Sequence, residues 1–521
     1  MASARAVRLS KSRYIAGRQC PLQLWYRVYD PPADGFDPVF WEGAEETARA
    51  LFPGGRSGSA PGAAGGADIA RTASLLTDPG CPAIFEAAFA HDRLLAVVDV
   101  LQRHGESWDL IEVKTATRYD PTRGSAVSQP HITYDVAFQR EVLRRAGIPV
   151  RKSWVYHLNP EYERRGELDL EALFRRREVT DLCEELAPQI QAEIEEFLAL
   201  TPATAPAAEP GSRCRSPFEC DFQDRCFARK PRHWIFTHLN RLNHHHRRWL
   251  AEGGVESVLE LDATNTARLP DGARRRHLRF RDVYATGRPH ISPELADDLE
   301  PLGPPSAYLD FETISPPIPR FDGTSPFQQL PFQYSLHLWW GDEDLRHFEY
   351  LAPAADDPRL GLARHLVGSL AHFPTGPILS YNASFERSCV DSLIRRAGES
   401  DSALADSLIG VRDRIVDLLP VVSANVIAAG FKGSYSMKAV APAVLGEGSG
   451  YDEAEISDGL AAQRAFEDLA AGRIRGGRVE QVRLALLAYC KLDTLNLHRL
   501  HRALMDPRQL ARSLTADPAS A

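Results

Sequence analysis

Within residues 82–117 three apolar stretches, IFEAAF, LLAVVDVLQ and WDLIEVKT, follow one another with few interruptions. Their β-branched and aromatic content predicts successive strands, with HGES turning the second into the third. In that register Asp99 ends one strand, while Glu112 and Lys114, two apart, share a face of its hairpin partner. A helix follows in YDVAFQREVLRRAG. Farther along, SAYLDFETI alternates as a strand with Asp310 and Glu312 on the same side. PILSYNASFERSCVDSLI reads as strand, turn and helix, with Asn382 and Glu386 at the junction. In VRLALLAYCKLDTLNLHRLHRAL the amphipathic period is helical, so Tyr489 and Asp493 stack one turn apart.

Low-complexity segments punctuate these elements. PGGRSGSAPGAAGGAD (53–68) predicts a surface loop, and TPATAPAAEPGS (201–212) separates a long helical pattern from a cysteine group. A chain of 521 residues exceeds one ordinary core. The expected divisions are a first domain over 1–230, a basic helical connector over 231–300, a second domain over 301–506 and a frayed tail over 507–521. No apolar run approaches the roughly 20 residues that span a bilayer. The basic N-terminus lacks the apolar core of a secretory signal, so a cytoplasmic location is expected, with cysteines reduced or metal-bound. A net charge of −9 argues against a general nucleic-acid coat and requires local basic surfaces for any such contact.

Asp99, Glu112 and Lys114 form a constellation with a chemical purpose. Two carboxylates can hold a divalent cation that polarises a phosphate, while a lysine positions or activates the attacking water. Cys20 near the N-terminus and Cys214, Cys220 and Cys226 in SRCRSPFECDFQDRC supply four thiolates, which suit either an iron–sulfur cluster or a structural zinc. Cys81, Cys183, Cys389 and Cys490 have no such grouping and read as small buried hydrophobes. This first unit resembles the PD-(D/E)XK nucleases of the RecB type, in the iron–sulfur subset that includes the CRISPR-adaptation and AddB-type enzymes. The resemblance implies a restriction-endonuclease-like fold and a 4Fe–4S cluster on those four cysteines, stapling the two ends of the domain. It also implies supporting roles for Glu86 and for Gln139 on the following helix. Where such enzymes often carry a histidine after a helix-opening glycine, this chain has Thr47 after Gly43, with Glu45 or Glu46 as substitutes.

Asp310, Glu312, Glu386, Tyr489 and Asp493, in that order, resemble the tyrosine-bearing DEDD family of 3′→5′ exonucleases, whose fold is ribonuclease H-like. The resemblance implies acids that bind Mg2+ or Mn2+ and a tyrosine that orients water. Glu386 stands where that family usually has aspartate, and Asp417 is a poorer match in context. The order of the two parts also resembles a bacterial family catalogued mainly as a domain of unknown function. In the connector, RRWLAEGGVESVLELDAT resembles a helix-hairpin-helix unit turning at Gly253-Gly254-Val255, and packing alone accounts for it equally well. Arg247, Arg248, Arg274, Arg275, Arg276, Arg279 and Arg281 concentrate positive charge there for a nucleic-acid strand. His244 to His246 read as a solvated helix end.

The expected protein is α/β throughout, a metal-dependent hydrolase cleaving phosphodiesters of single-stranded DNA or DNA ends at two active sites. Repair, recombination and defence are equally compatible pathways. Two other readings are a nucleic-acid-binding scaffold with little turnover, which Glu386 favours, and an RNA exonuclease. The sequence has no GxxxxGK[ST] loop, so ATP-driven unwinding would come from a separate helicase.

Overall fold

Strand alternation over residues 83–114 produces three antiparallel neighbours in a computed structural model that describes residues 6–32, 43–59, 68–121, 129–239, 244–341, 343–449, 456 and 458–515. The architecture is mixed α/β and divides into two units, Met1–Arg229 with Pro316–Gln328, and Lys230–Ser315 with Gln329–Ala521. Among the described residues no helix is long and apolar enough to cross a membrane.

In the first unit, β1 (Ala83–His91), β2 (Leu94–His104), β3 (Ser107–Lys114), β4 (Val150–Leu158) and β5 (Phe174–Glu178) lie side by side in that order. Among these five strands the β3–β4 pairing is the parallel one, and the crossover between them carries helix α4 (Pro130–Arg145). Proline at its first turn suits a position with no helical acceptor to serve. Val136, Phe138 and Val142 of α4 bury against Val98, Leu101 and Leu110 of the sheet. Helix α1 (Lys11–Gln19) is capped by Ser10, whose hydroxyl accepts from Arg13 N, and this fixes Lys11 at the first turn. Asp99 lies inside β2, not at its end. The β2–β3 ladder runs from His104↔Ser107 to Val100↔Ile111, and beyond it the Asp99 side chain takes the N–H of Val113 (2.8 Å).

The second unit centres on β6 (Ser306–Ile314), flanked by β7 (Leu330–Trp339) and then β8 (Leu345–Leu351) on one side and by β9 (Ile378–Ser380) and β10 (Ile415–Asp417) on the other. β7 is antiparallel to both neighbours, and β9 is parallel to β6 and to β10. Helix α5 (Ser384–Gly398) follows β9, and the 28-residue helix α6 (Gly477–Leu504) packs on β6 and β7. Polar contacts fix the axial position of α6. Gln333 donates to Leu486 O (2.7 Å), Thr494 shares hydrogen bonds with Ser335 and His337, and Tyr308 meets His501.

At several further points the structure differs from what the sequence predicts. Residues 507–514 form a helix that buries Leu510 and Leu514, because Asp506 caps it and its apolar face has a core to meet; 516–521 lie outside the described residues, as do 60–67 of the Gly/Ala-rich loop. The stretch 230–300 is part of the second unit, with Ile291 paired to Val426 and Asn425 donating to Asp298. Conversely, 316–328, the excursion between β6 and β7, belongs to the first unit, where Arg164 donates to Pro319 O and Arg320 O and Gly166 N donates to Asp322. The glycine turn at 253–254 does not lead into a second α-helix, since a three-residue 3-10 turn, Val258–Glu260, follows. Its amides are also committed: Gly253, Gly254 and Val255 donate to Trp249, Ala251 and Leu250 of the preceding helix. That leaves the turn without the open donors a phosphate would need.

Candidate metal-binding active sites

In the first unit, β2, β3, α1 and α4 converge on Glu112, whose side chain is wholly buried. Lys114 Nζ lies 2.5 Å from Glu112 Oε1 and 2.8 Å from Asp135 Oδ2. Lys11, from α1, lies 2.7 Å from the same Glu112 oxygen and 3.6 Å from Asp99. The amide of Gln139 donates to Glu112 Oε2 (2.7 Å) and Asp135 Oδ1 (3.2 Å), leaving its own buried oxygen with no hydrogen-bond partner. Thus Asp99, Glu112 and Lys114 come together, and Gln139, which the resemblance implied, meets them. Glu45 joins the electrostatic group. Glu86 belongs to another network, paired with Arg49 (2.8 Å) and Ser57. Lys11 and Asp135 were not anticipated. Asp135 had a signal, four residues before Gln139 on one helix face, whereas Lys11 is about 100 residues from its partner.

Burial and the neighbouring Glu112 push Asp99 up to about 8, against the pull of Lys11. Burial also opposes ionisation of Glu112, but Lys11 and Lys114 outweigh it and hold that carboxyl well below its usual range. Glu45 and Asp135 are raised, each by burial first and Glu112 second. The cluster therefore keeps one firmly ionised carboxylate balanced by two ammonium groups, with protonatable acids around it.

In the second unit, Asp310 and Glu312 project from the central strand and Cys490 from α6, and one ligand atom of each lies within 4.8 Å of the others. The Cys490 thiol is 3.5 Å from Asp310 Oδ2. Burial, then Asp493, Glu312 and Glu386, push Asp310 well up; burial and then Asp493 push Glu312 up to about 8, with Lys438 opposing. Burial, and to a lesser degree Asp417, pushes Glu386 up to about 8. Among the described residues, the buried Glu386 Oε2 has no hydrogen-bond partner. Gathering carboxylates that suppress each other's ionisation, with one oxygen unsatisfied, is the condition a divalent cation relieves. Tyr489, also buried, sits on the same helix, one turn before Asp493.

Asn382, in a left-handed conformation (φ 73°), turns the chain from β9 into α5, and its N–H donates to Asp417. Asp417 also caps the helix after β10, so its Oδ1 accepts from two backbone N–H groups. Cys490 and Cys389 are buried as expected, but neither is a bystander: both thiols are raised, by burial first and by the acids second. The signal for Cys490 was its position three residues before Asp493.

Cys20, Cys214, Cys220 and Cys226 line one cavity with Leu22, Tyr26 and Phe222. Burial, and then the other three thiols, push Cys220 up to about 11. Four soft donors from both ends of the first unit, packed around an apolar floor, fit a thiolate-bound metal group. Of the connector arginines, Arg247 donates to Phe236 O, Arg248 pairs with Glu252, Arg274 with Asp271 and Arg281 with Asp282, while Arg276 stacks near Phe280 and Tyr435. Arg275 and Arg279 are exposed.

A family model described as a domain of unknown function (DUF2779) matches residues 307–436. That span holds Asp310, Glu312, Asn382 and Glu386 and stops short of Tyr489 and Asp493. No curated protein matches the chain.

Proposed function

We propose that this protein is a metal-dependent nuclease hydrolysing DNA phosphodiesters at two sites, one in each unit. The observation that carries the reading is the buried acid group of the second unit, where Asp310, Glu312 and Glu386 are all raised and Glu386 Oε2 is unsatisfied. In support of a ribonuclease H-like second unit, its sheet has the order 3-2-1-4-5 with the second strand antiparallel. In support of a PD-(D/E)XK-like first unit, the acids and lysine lie on an antiparallel strand pair, followed by a helix that supplies Gln139.

Asp99 and Glu112, and separately Asp310, Glu312, Asp493 and Glu386, would hold Mg2+ or Mn2+. When bound, the cation supplies Lewis acidity toward the phosphate and the leaving 3′ oxygen. Lys114, adjacent to Glu112 and Asp135, is placed to orient water and to neutralise charge developing on the phosphate. Tyr489 orients water in the second unit. Cys20, Cys214, Cys220 and Cys226 would carry a 4Fe–4S cluster, with structural zinc the alternative, holding the ends of the first unit together; hydrolysis needs no electron transfer from it. Anaerobically purified protein incubated with labelled single-stranded DNA and RNA, with Mn2+ or with chelator, tests the reading. Mn2+-dependent DNA cleavage is expected. Binding without cleavage at any metal concentration would favour a scaffold, and cleavage confined to RNA would favour an RNA exonuclease.

A further inference from the structure

Two adjoining hollows of the first unit, about 420 and 650 Å³, share Ile15, Gln19, Gln129, His131 and Phe218 as walls. The smaller begins at Lys11, Lys114 and Asp135 of the candidate active site, and the larger continues past Arg18, Tyr134 and Arg213. Each falls in the size range of sites that take small organic groups. Across the two linings there are five cationic side chains, Lys11, Arg18, Arg27, Lys114 and Arg213, and one carboxylate, Asp135. Lys11 and Lys114 lie on Glu112, Arg18 on Glu193 and Arg27 on Asp221, so the lining is ion-paired, and an anionic group would enter by exchanging with these carboxylates.

Phe218 sets the character of this groove. It is 52 % exposed, a poor position for a phenyl ring. It sits between Cys214 and Cys220, and the loop is tied to α1 by Gln19, whose amide donates to Arg213 O (2.7 Å) and Phe218 O (2.6 Å). His131 meets its ring edge-on at 5.0 Å between centroids, and Arg18 lies over the Tyr134 ring. Burial and the charge of Lys114 push His131 down to about 4, so its ring is neutral. Aromatic faces interleaved with cations are what an unstacked nucleic-acid strand requires, since every base offers a π-face and every linkage a negative charge. A duplex keeps its bases stacked inside and has none to offer.

We propose that this groove binds single-stranded DNA, with a base stacked on Phe218 beside the phosphate presented to Lys114. The assignment rests on the nuclease reading of the first unit. It makes Phe218 a positioning residue, and it gives the cysteine loop a second task, as the substrate-side wall of the cleft.

The test uses the full chain in chelator-containing buffer, which prevents hydrolysis, and a single-stranded oligonucleotide bearing 2-aminopurine, whose fluorescence is quenched on stacking. Wild type and Phe218→Tyr are expected to quench it. Phe218→Ala and Phe218→Leu are expected to lose quenching and to bind roughly tenfold more weakly, since apolar bulk does not replace a ring. Unchanged quenching and affinity in Phe218→Ala overturns the proposal, and so does equal quenching by a blunt duplex carrying the probe. Cleavage with Mn2+ separates the two readings. Ring-dependent quenching in a protein that never cuts removes the nuclease reading and keeps the groove, whereas first-unit cutting, read in an Asp310→Ala background, that is indifferent to Phe218 removes the groove and keeps the nuclease.

Discussion

The two acid clusters solve the same electrostatic problem in opposite ways. In the first unit Glu112 is completely buried yet ionised, because Lys11 and Lys114 both reach it. In the second, Asp310 and Glu312 lie with Cys490 in one close group, and both, like the buried Glu386, are pushed toward the protonated form. A built-in counter-charge keeps a site organised without metal, whereas an acid cluster with little counter-charge is organised by its cation. The first cluster carries its own counter-charge, and the second, on the proposed metal reading, takes it from a cation.

The sharpest way to break that contrast is to remove one acid from the second cluster. Asp310→Asn is expected to weaken Mn2+ binding there by about 10³-fold while leaving the first unit's binding in place, measured by calorimetry against Asp99→Asn. A smaller effect of opposite sign is expected in stability. Glu312 is raised from 4.5 to about 8 in the fold, so the metal-free protein loses stability as pH rises through that window. Glu312→Gln removes the loss and should stabilise metal-free protein by about 2–4 kcal/mol at pH 8.5, with almost no effect at pH 4, in chemical denaturation.

Proton release on metal binding comes next. Between pH 6 and pH 7, Mn2+ affinity should rise about 10²-fold in the second unit, where at least two carboxyls near 8 must ionise, and about tenfold in the first, where Asp99 must. Calorimetry in buffers of different ionisation enthalpy reads the proton count, and equal counts in both units would remove the distinction. The smallest effect is Lys11→Met, which leaves Lys114 on Glu112 and should cost about 1.5 kcal/mol of first-unit stability above pH 5.

Much of this was legible in the sequence because it depends on local periodicity. Alternation set Asp310 and Glu312 on one side of a strand, helical spacing stacked Tyr489 over Asp493, and the hairpin register placed Asp99 against Glu112. What escaped is non-local. Lys11 meets Glu112 across 101 residues of sequence, and no periodicity predicts such a pair. The excursion 316–328 joins the first unit through carbonyls that accept from Arg164, through Asp322 and through Ile318 and Phe327, whose partners all lie more than 140 residues earlier. The glycine turn at 253–254 resembled a phosphate-binding hairpin because sequence shows the glycines but not where the amides donate. Cys490 looked like filler because its neighbours Asp310 and Glu312 come from a strand about 180 residues earlier.

The most direct test of two independent metal-dependent sites is the product pattern from 5′- and 3′-labelled single-stranded DNA with Mn2+, comparing wild type, Lys114→Ala and Asp310→Ala. Each substitution is expected to remove a distinct set of products by about 10²–10³-fold and to leave the other set intact. Loss of all products in either variant alone, or an unaltered pattern in both, would contradict the account.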